Sequence, residues 1–407
     1  MIPRAAPAPA GPQAGGAGSV GCAVRPTGVA LPFNDGLVVV SRDGAVVALD
    51  AAGRRLWEAL QAGCIVEDLI GACIAHGGIL RQVAPANISS ALGRWQALGL
   101  TELSGQGAPA TPAVIQVVTR PNGRVPALDA VYQVGDRPVR VRCDDIVLGE
   151  VIDAACGSCR VSNAAGALVC VEVTGQDDGL VVTAEETTLA RTGAPTHDRA
   201  LARHRCLTAL LETARAGRQW LAILHASAVS TEGRCVVLAG ARGSGKSTLA
   251  AAMNAAGADF VTDDYAPLEQ ASWLIWPVPY APGIKRGSWR VLPRHFPELA
   301  SRPVHRLAGR QIRYLDLDPS RRAALHRGLP VEALVFPSFE KGAGLREVRM
   351  GADEAFESLC HARSMLSRQP DVLADTLRWV ESVPAYRLVY GDLDRAIDSV
   401  LRRLRRQ

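Results

Sequence analysis

One stretch of the chain leaves little choice of fold. Residues 235–239, Cys-Val-Val-Leu-Ala, form an apolar run of strand length, and residues 248–253 read as the start of a helix that stops at Gly257. Between them lie Gly240, Ala241, Arg242, Gly243, Ser244, Gly245, Lys246 and Ser247, which fit G-x-x-x-x-G-K-[ST]. Glycines at these places let the backbone curl until successive N–H groups converge on one point. A helix opening at the end of the curl adds the positive end of its dipole. Strand, turn and helix in this order predict an α/β fold whose P-loop cradles phosphate. Lys246 reaches the outer phosphates, and the Ser247 hydroxyl can ligate Mg²⁺. The expected cofactors are therefore ATP and Mg²⁺, with residues 240 through Thr248 holding them.

A second strand, 258–262, ends in Asp263 and Asp264. Ligands in open α/β sheets collect at the carboxyl ends of strands, so two adjacent carboxylates there suit a phosphoryl-transfer site. One can hold Mg²⁺, directly or through water, while the other accepts a proton from an attacking hydroxyl. His225 closes the apolar run 220–224, and Thr231-Glu232-Gly233 turns the chain back into the P-loop strand. That hairpin predicts a histidine on a strand beside the nucleotide strand, either as a packed core residue or as part of the site.

The rest of the chain organises around this centre. Residues 1–24, rich in Ala, Pro and Gly, predict disorder. Residues 25–103 predict a hairpin, turning at Arg42-Asp43-Gly44, and then three helices. The first helix is capped by Asp50, the second carries 65–74, and the third carries Ile88, Leu92, Trp95 and Leu98. Residues 104–113 read as a linker. Strands are expected at 114–118, 139–143, 167–173 and 179–183, and a helix at 199–216. Residues 114–219 thus form a strand-rich first part of the region that carries the P-loop domain, 220–407.

Composition excludes more than it proposes. Hydrophobic residues make up 48%, charged residues 21%, and the net charge is +5. Arginine supplies nearly all the positive charge, since the lysines are Lys246, Lys285 and Lys341 alone. The basic end 402–406 predicts a solvated helix terminus, so neither charge pattern argues for nucleic acid. No apolar run reaches the ~18–20 residues that span a bilayer, and the N-terminal stretch has no apolar signal segment. Ten scattered cysteines predict free thiols in a reducing compartment, hence a cytoplasmic protein. Cys156-Gly157-Ser158-Cys159 lacks the second pair that zinc requires and predicts ordinary thiols in a turn.

Taken together, His225-Ala226-Ser227-Ala228-Val229, the P-loop and Val261-Thr262-Asp263-Asp264 resemble the catalytic core of HPr kinase/phosphorylase. The close resemblance spans about 220–268. More loosely, 114–407 looks like the HPr kinase-related enzymes of the HPr-rel-A type. The resemblance implies an HPr kinase-like fold, a mixed sheet flanked by helices, and transfer of the ATP γ-phosphoryl group to a serine hydroxyl. It implies Asp263 as general base with His225 as its electrostatic partner, Lys246 on the phosphates, and Ser247 with Asp264 on Mg²⁺. The glycine-rich signature that follows the acidic pair in that family is replaced by a Pro-rich stretch, 277–288, carrying Lys285. HPr is therefore not the implied substrate. Arg306, Arg310 and Arg313 are candidate cations for the transition state.

Residues 25–103 resemble PqqD-type recognition elements, small winged-helix (α+β) modules that bind leader segments of ribosomally synthesised, modified peptides. The resemblance implies a precursor peptide as partner, its leader added as a strand to the sheet edge beside the third helix. The linker then raises the effective concentration of the core peptide at the ATP site. The combined expectation is a peptide serine kinase, with no nucleic-acid or membrane partner and possible homo-oligomerisation. A nucleotide-gated peptide chaperone and a kinase for a small molecule or amino acid stay open as alternatives.

Overall fold

The structure, a computed structural model, describes residues 24–41, 44–63, 84–103, 125–162, 169–184 and 187–405. The expected disordered start, the tip of the first hairpin, the helix at 65–74, the linker 104–113 and the strand at 114–118 lie outside these residues.

At the N-terminus, β1 (Val24–Pro26), β2 (Val29–Phe33), β3 (Gly36–Val40), β4 (Val46–Leu49), α1 (Ala51–Gln61), α2 (Ala84–Ala97) and β5 (Thr101–Leu103) form one unit. β2, β3 and β4 make an antiparallel meander, and β1 pairs with β5. A single hairpin was expected. β2 carries a proline and no alternation, and three-residue β1 and β5 carry no period at all. Their pairing joins the two ends of the unit and places residue 24 inside it. Asp50 caps α1 by accepting from the Gly53 amide at 2.7 Å. The α1 face it starts buries Leu56, Trp57 and Leu60, with Trp57 edge-on to Trp95 at 5.9 Å.

The next unit comprises β6 (Leu128–Gln133), β7 (Pro138–Cys143), α3 (Ile146–Cys156), β8 (Cys170–Gln176), β9 (Gly179–Thr183) and α4 (Arg199–Ala214). Its sheet runs β6-β7-β8-β9, with β7 and β8 parallel and the outer pairs antiparallel. Alternation in β7 sends Val139, Val141 and Cys143 into the core that α3 and α4 cover.

The remainder carries β10 (Trp220–Leu224), β11 (Ala226–Thr231), β12 (Arg234–Ala239), α5 (Lys246–Ala255), β13 (Asp259–Thr262), β14 (Ala266–Glu269), β15 (Gly283–Lys285), β16 (His305–Leu307), β17 (Arg310–Tyr314), β18 (Val331–Phe339), β19 (Arg346–Met350), α6 (Ala352–His361), β20 (Met365–Leu366), α7 (Pro370–Ser382), β21 (Ala385–Tyr390) and α8 (Leu393–Arg405). The main sheet is mixed, in the order β13-β11-β12-β18-β21-β19, with β12, β18 and β21 parallel. β12 is buried on both faces, which explains its unbroken apolar run. Val236 and Leu238 pack with α5 and α8, while Cys235, Val237 and Ala239 share a core with α6 and α7.

Three expectations need correction. His225 is not on a strand: it sits at a bend between β10 and β11, and there the chain changes sheet, so β10 pairs with β14 and β20 while β11 pairs with β12 and β13. The helix end near 402–406 is not simply solvated, because Arg403 pairs with Glu347 and stacks over Tyr386 at 3.5 Å. The N-terminal unit is more than a tethered module. Phe33 packs edge-on against Phe356 at 5.6 Å, and Val38 and Val40 share a core with Leu359, Leu373 and Trp379. Among the described residues no helix is long and apolar enough to cross a membrane.

Candidate active site

The site forms where β12, β13 and the β10–β11 junction end together. Leaving β12, the chain takes positive φ at Gly240 (143°), Gly243 (92°) and Gly245 (101°), and α5 opens at Lys246. At Gly245 a Cβ would lie 2.5 Å from the Tyr390 hydroxyl, so both dihedral and space demand glycine. The first intrahelical bond runs from the Leu249 amide to the Gly245 carbonyl at 2.8 Å. The amides before it have no intrahelical acceptor and surround the loop. Lys246 folds back and donates to the carbonyls of Gly240 (2.8 Å) and Ala241 (3.2 Å). Burial lowers the Lys246 ammonium from its ordinary value, and the charges of Asp264 and Asp263 oppose that fall. The Ser244 hydroxyl is buried without a hydrogen-bond partner among the described residues. Arg242 is exposed at the loop tip. Thr248 is engaged elsewhere, with its hydroxyl 2.5 Å from that of Ser288.

Asp263, at the tip of β13, is almost fully buried and accepts three hydrogen bonds. Its Oδ1 takes the hydroxyls of Ser227 (2.5 Å) and Ser247 (2.9 Å), and Oδ2 takes the Gly283 amide at 3.2 Å. Burial pushes its carboxyl above the ordinary value and the neighbouring Asp264 adds to this, while the three donors pull the other way. Asp264 has φ of 65°, in the left-handed region, which turns its side chain away from that of Asp263 and toward His225. His225 Nε2 lies 3.2 Å from Asp264 Oδ1, and Nδ1 donates to the Ala362 carbonyl at 2.8 Å. Burial alone would raise Asp264, but the bond and charge of His225, with Arg203 and Lys285, hold it well below the usual carboxylate range.

The expected residues thus converge, yet they pair differently from the arrangement the resemblance implies. His225 contacts Asp264, where Asp263 was expected. Ser247 contacts Asp263, where Asp264 was expected. Ser227 and Gly283 were missed in the sequence. Ser227 lies two residues beyond His225, within β11, a period-two signal that a strand reading could have used. Gly283 offers only a backbone amide and had no signal. Of the three arginines, Arg313 is structural: it stacks on Trp289 at 4.2 Å and donates to the Leu299 carbonyl. Arg306 and Arg310 line a basic groove with Lys285. Arg310 sits close enough to Arg242 to depress its ionisation, after burial.

The donors suit the expected ligands. Ser247 Oγ and Asp263 Oδ1 are two hard oxygens 2.9 Å apart, the small protein contribution that Mg²⁺ takes alongside phosphate and water. Among the described residues no cluster of three or more His, Cys, Asp or Glu side chains could hold a metal unaided. Cys156 and Cys159 are free, buried thiols, and burial pushes the Cys159 thiol up to about 11. No family model matches the chain, and no curated protein is significantly similar to it.

Proposed function

We propose that the chain is an ATP-dependent kinase that binds a ribosomally synthesised precursor peptide through its N-terminal unit and phosphorylates a hydroxyl, most simply a serine, on that peptide. The observation that carries this reading is the tip of β13. One carboxylate there bonds the P-loop serine, and its neighbour bonds a histidine, 3.2 Å away, on the next strand junction.

In this reading the loop amides and Lys246 hold the triphosphate, and Ser244 gains a partner. Magnesium, when bound, would neutralise charge on the outer phosphates. Asp263 and Ser247 would hold it. Asp264 would take the acceptor proton and His225 would orient it, the reverse of the assignment implied by the resemblance. Both oxygens of Asp263 already accept hydrogen bonds in a buried pocket, whereas Asp264 is half-buried and within reach of solvent. Burial favours protonation of Asp263, but geometry ranks before basicity when a base must touch its substrate. Lys285, Arg306 and Arg310 supply charge at the rim.

The peptide-binding half of the proposal rests on a groove of about 910 Å³ between β4, the edge strand of its sheet, and α2. Val47, Leu49, Ile88 and Trp95 line it, which suits an added strand with apolar side chains. Asp353, Glu357 and His361 of α6 form its far wall. The turn that follows α6 bonds His225, so one helix borders both the groove and the site.

The test is mass spectrometry of short serine-containing peptides, among them any encoded beside this gene, after incubation with Mg·ATP. Gain of one phosphate, absent with Lys246→Ala, supports the kinase. No phosphate gain with protein that binds ATP would overturn it and leave the non-catalytic chaperone and the small-molecule or amino-acid kinase.

A further inference from the structure

A second cavity, of about 700 Å³, lies between the N-terminal unit and the catalytic region. Gly44 and Val46 border it on one side, and Arg363 and Ser364 on the other. The inner end adjoins the site directly, because the Ser364 hydroxyl accepts the His225 amide at 3.2 Å. One wall, 188–190, is held in place by Glu212. This buried side chain accepts the amides of Thr188, Leu189 and Ala190 at 3.2, 2.8 and 2.8 Å.

The charge of the lining is one-sided. Arg191, Arg205, Arg363 and Arg368 face it, with no Asp or Glu among the described residues that line it. Among the described residues none of these four forms an ion pair with a carboxylate. Arg205 donates to the Ala194 carbonyl at 2.5 Å, but its Nε is buried without a partner among the described residues. Arg363 has φ of 64°, a conformation disfavoured for a side chain of this size, and follows the carbonyl that bonds His225. Such strain at a site edge is retained where it aims a functional group. Four like charges around one concavity raise its affinity for anions.

Resting on the kinase reading, we propose that this cavity binds an acidic stretch of the acceptor peptide and leads its hydroxyl to Asp264 and His225. Carboxylates along the peptide would pair with Arg191, Arg368 and Arg205 in turn, and Arg363 would meet the segment nearest the hydroxyl. The selectivity expected is for acceptors flanked by Asp or Glu.

The test uses the full chain and two fluorescein-labelled peptides of Ser and Gly, one containing four Glu and the other four Gln at the same places. Fluorescence anisotropy is read at low salt. The Glu peptide should bind at least about ten-fold more tightly than the Gln peptide. Arg191→Gln and Arg368→Gln, both at exposed positions, should each weaken the Glu peptide by roughly three- to five-fold, as solvent-exposed charge pairs do. The Gln peptide should be unaffected. Equal binding of the two peptides, or an unchanged affinity in the double variant, would overturn the proposal. Displacement of the Glu peptide by ATP or inorganic phosphate would also overturn it, by making the cavity a phosphate site. Binding of a fluorescent ATP analogue to the same variants separates this result from failure of the kinase reading, which predicts that nucleotide affinity is unchanged.

Discussion

Replacing Asp263 by Asn tests the division of labour between the two carboxylates. An asparagine can keep its oxygen on the hydroxyls of Ser227 and Ser247, but its NH₂ then faces the Gly283 amide across a contact that is now 3.2 Å. Two donors facing each other in a buried pocket cost about 1–3 kcal/mol. Removing an anion that burial and Asp264 both penalise offsets part of that cost. The net loss of stability should therefore stay within about 2 kcal/mol, and the variant should remain folded. Its loss should fall on the metal. ATP-analogue affinity, titrated with and without Mg²⁺, should lose about ten- to a hundred-fold of its metal-dependent gain. Metal-free affinity should barely move, because Lys246 and the loop amides are untouched. If Asp263→Asn kept the full Mg²⁺ gain and instead abolished only turnover, the assignment of the base to Asp264 would be wrong.

Asp264→Asn should do the opposite, lowering turnover by about a hundred- to ten-thousand-fold with Mg·ATP affinity retained, read by single-turnover phosphorylation. Gly245→Ala should weaken ATP analogue binding, since its φ of 101° costs a side chain about 1–2 kcal/mol and the new Cβ meets the Tyr390 hydroxyl at 2.5 Å. Adding Tyr390→Phe should recover only the steric part, and full recovery would show that the dihedral is not limiting. Burial, followed by the charges of Arg203 and His225, lowers the His204 imidazole to about 4. Its folded value lies below the ordinary 6.5, so the stability it contributes is complete above pH 6.5 and is lost as pH falls through about 4. The loss is up to about 3 kcal/mol, read by urea denaturation across that range. His204→Gln should flatten that segment of the profile, and an unchanged profile would mean the histidine is not buried neutral.

Much of the site is legible in the order of the residues. Gly240 to Ser247 announce themselves because a loop that turns through three left-handed glycines into a helix tolerates few residue types at fixed spacing. Asp263 and Asp264 follow one helix later because an α/β crossover has a short, regular length. The cap at Asp50 and the buried run of β12 are equally local signals. Other features had no such signal. Strands β1 and β5 are three residues each, too short for a period. The break at His225 is hidden inside a continuous apolar run, since β10 and β11 are both buried on both faces. Arg203, His204 and the turn at 362–364 lie far along the chain from the acidic pair they surround.

What the linear chain determined on its own is the set of groups within reach of one loop: curled backbone amides, an ammonium group and a hydroxyl, and two carboxylates one strand away. Local backbone geometry fixes these, so neighbouring residues suffice to read them. Which carboxylate meets the histidine was settled only by folding. The left-handed turn at Asp264 and the approach of β15 and the 362–364 turn from distant sequence sort the two acids into a bonded, buried one and a half-exposed one. The docking of the N-terminal sheet on α6 and α7 is of the same kind. Packing between surfaces separated by hundreds of residues depends on shape and on apolar area buried together, which no window of sequence records.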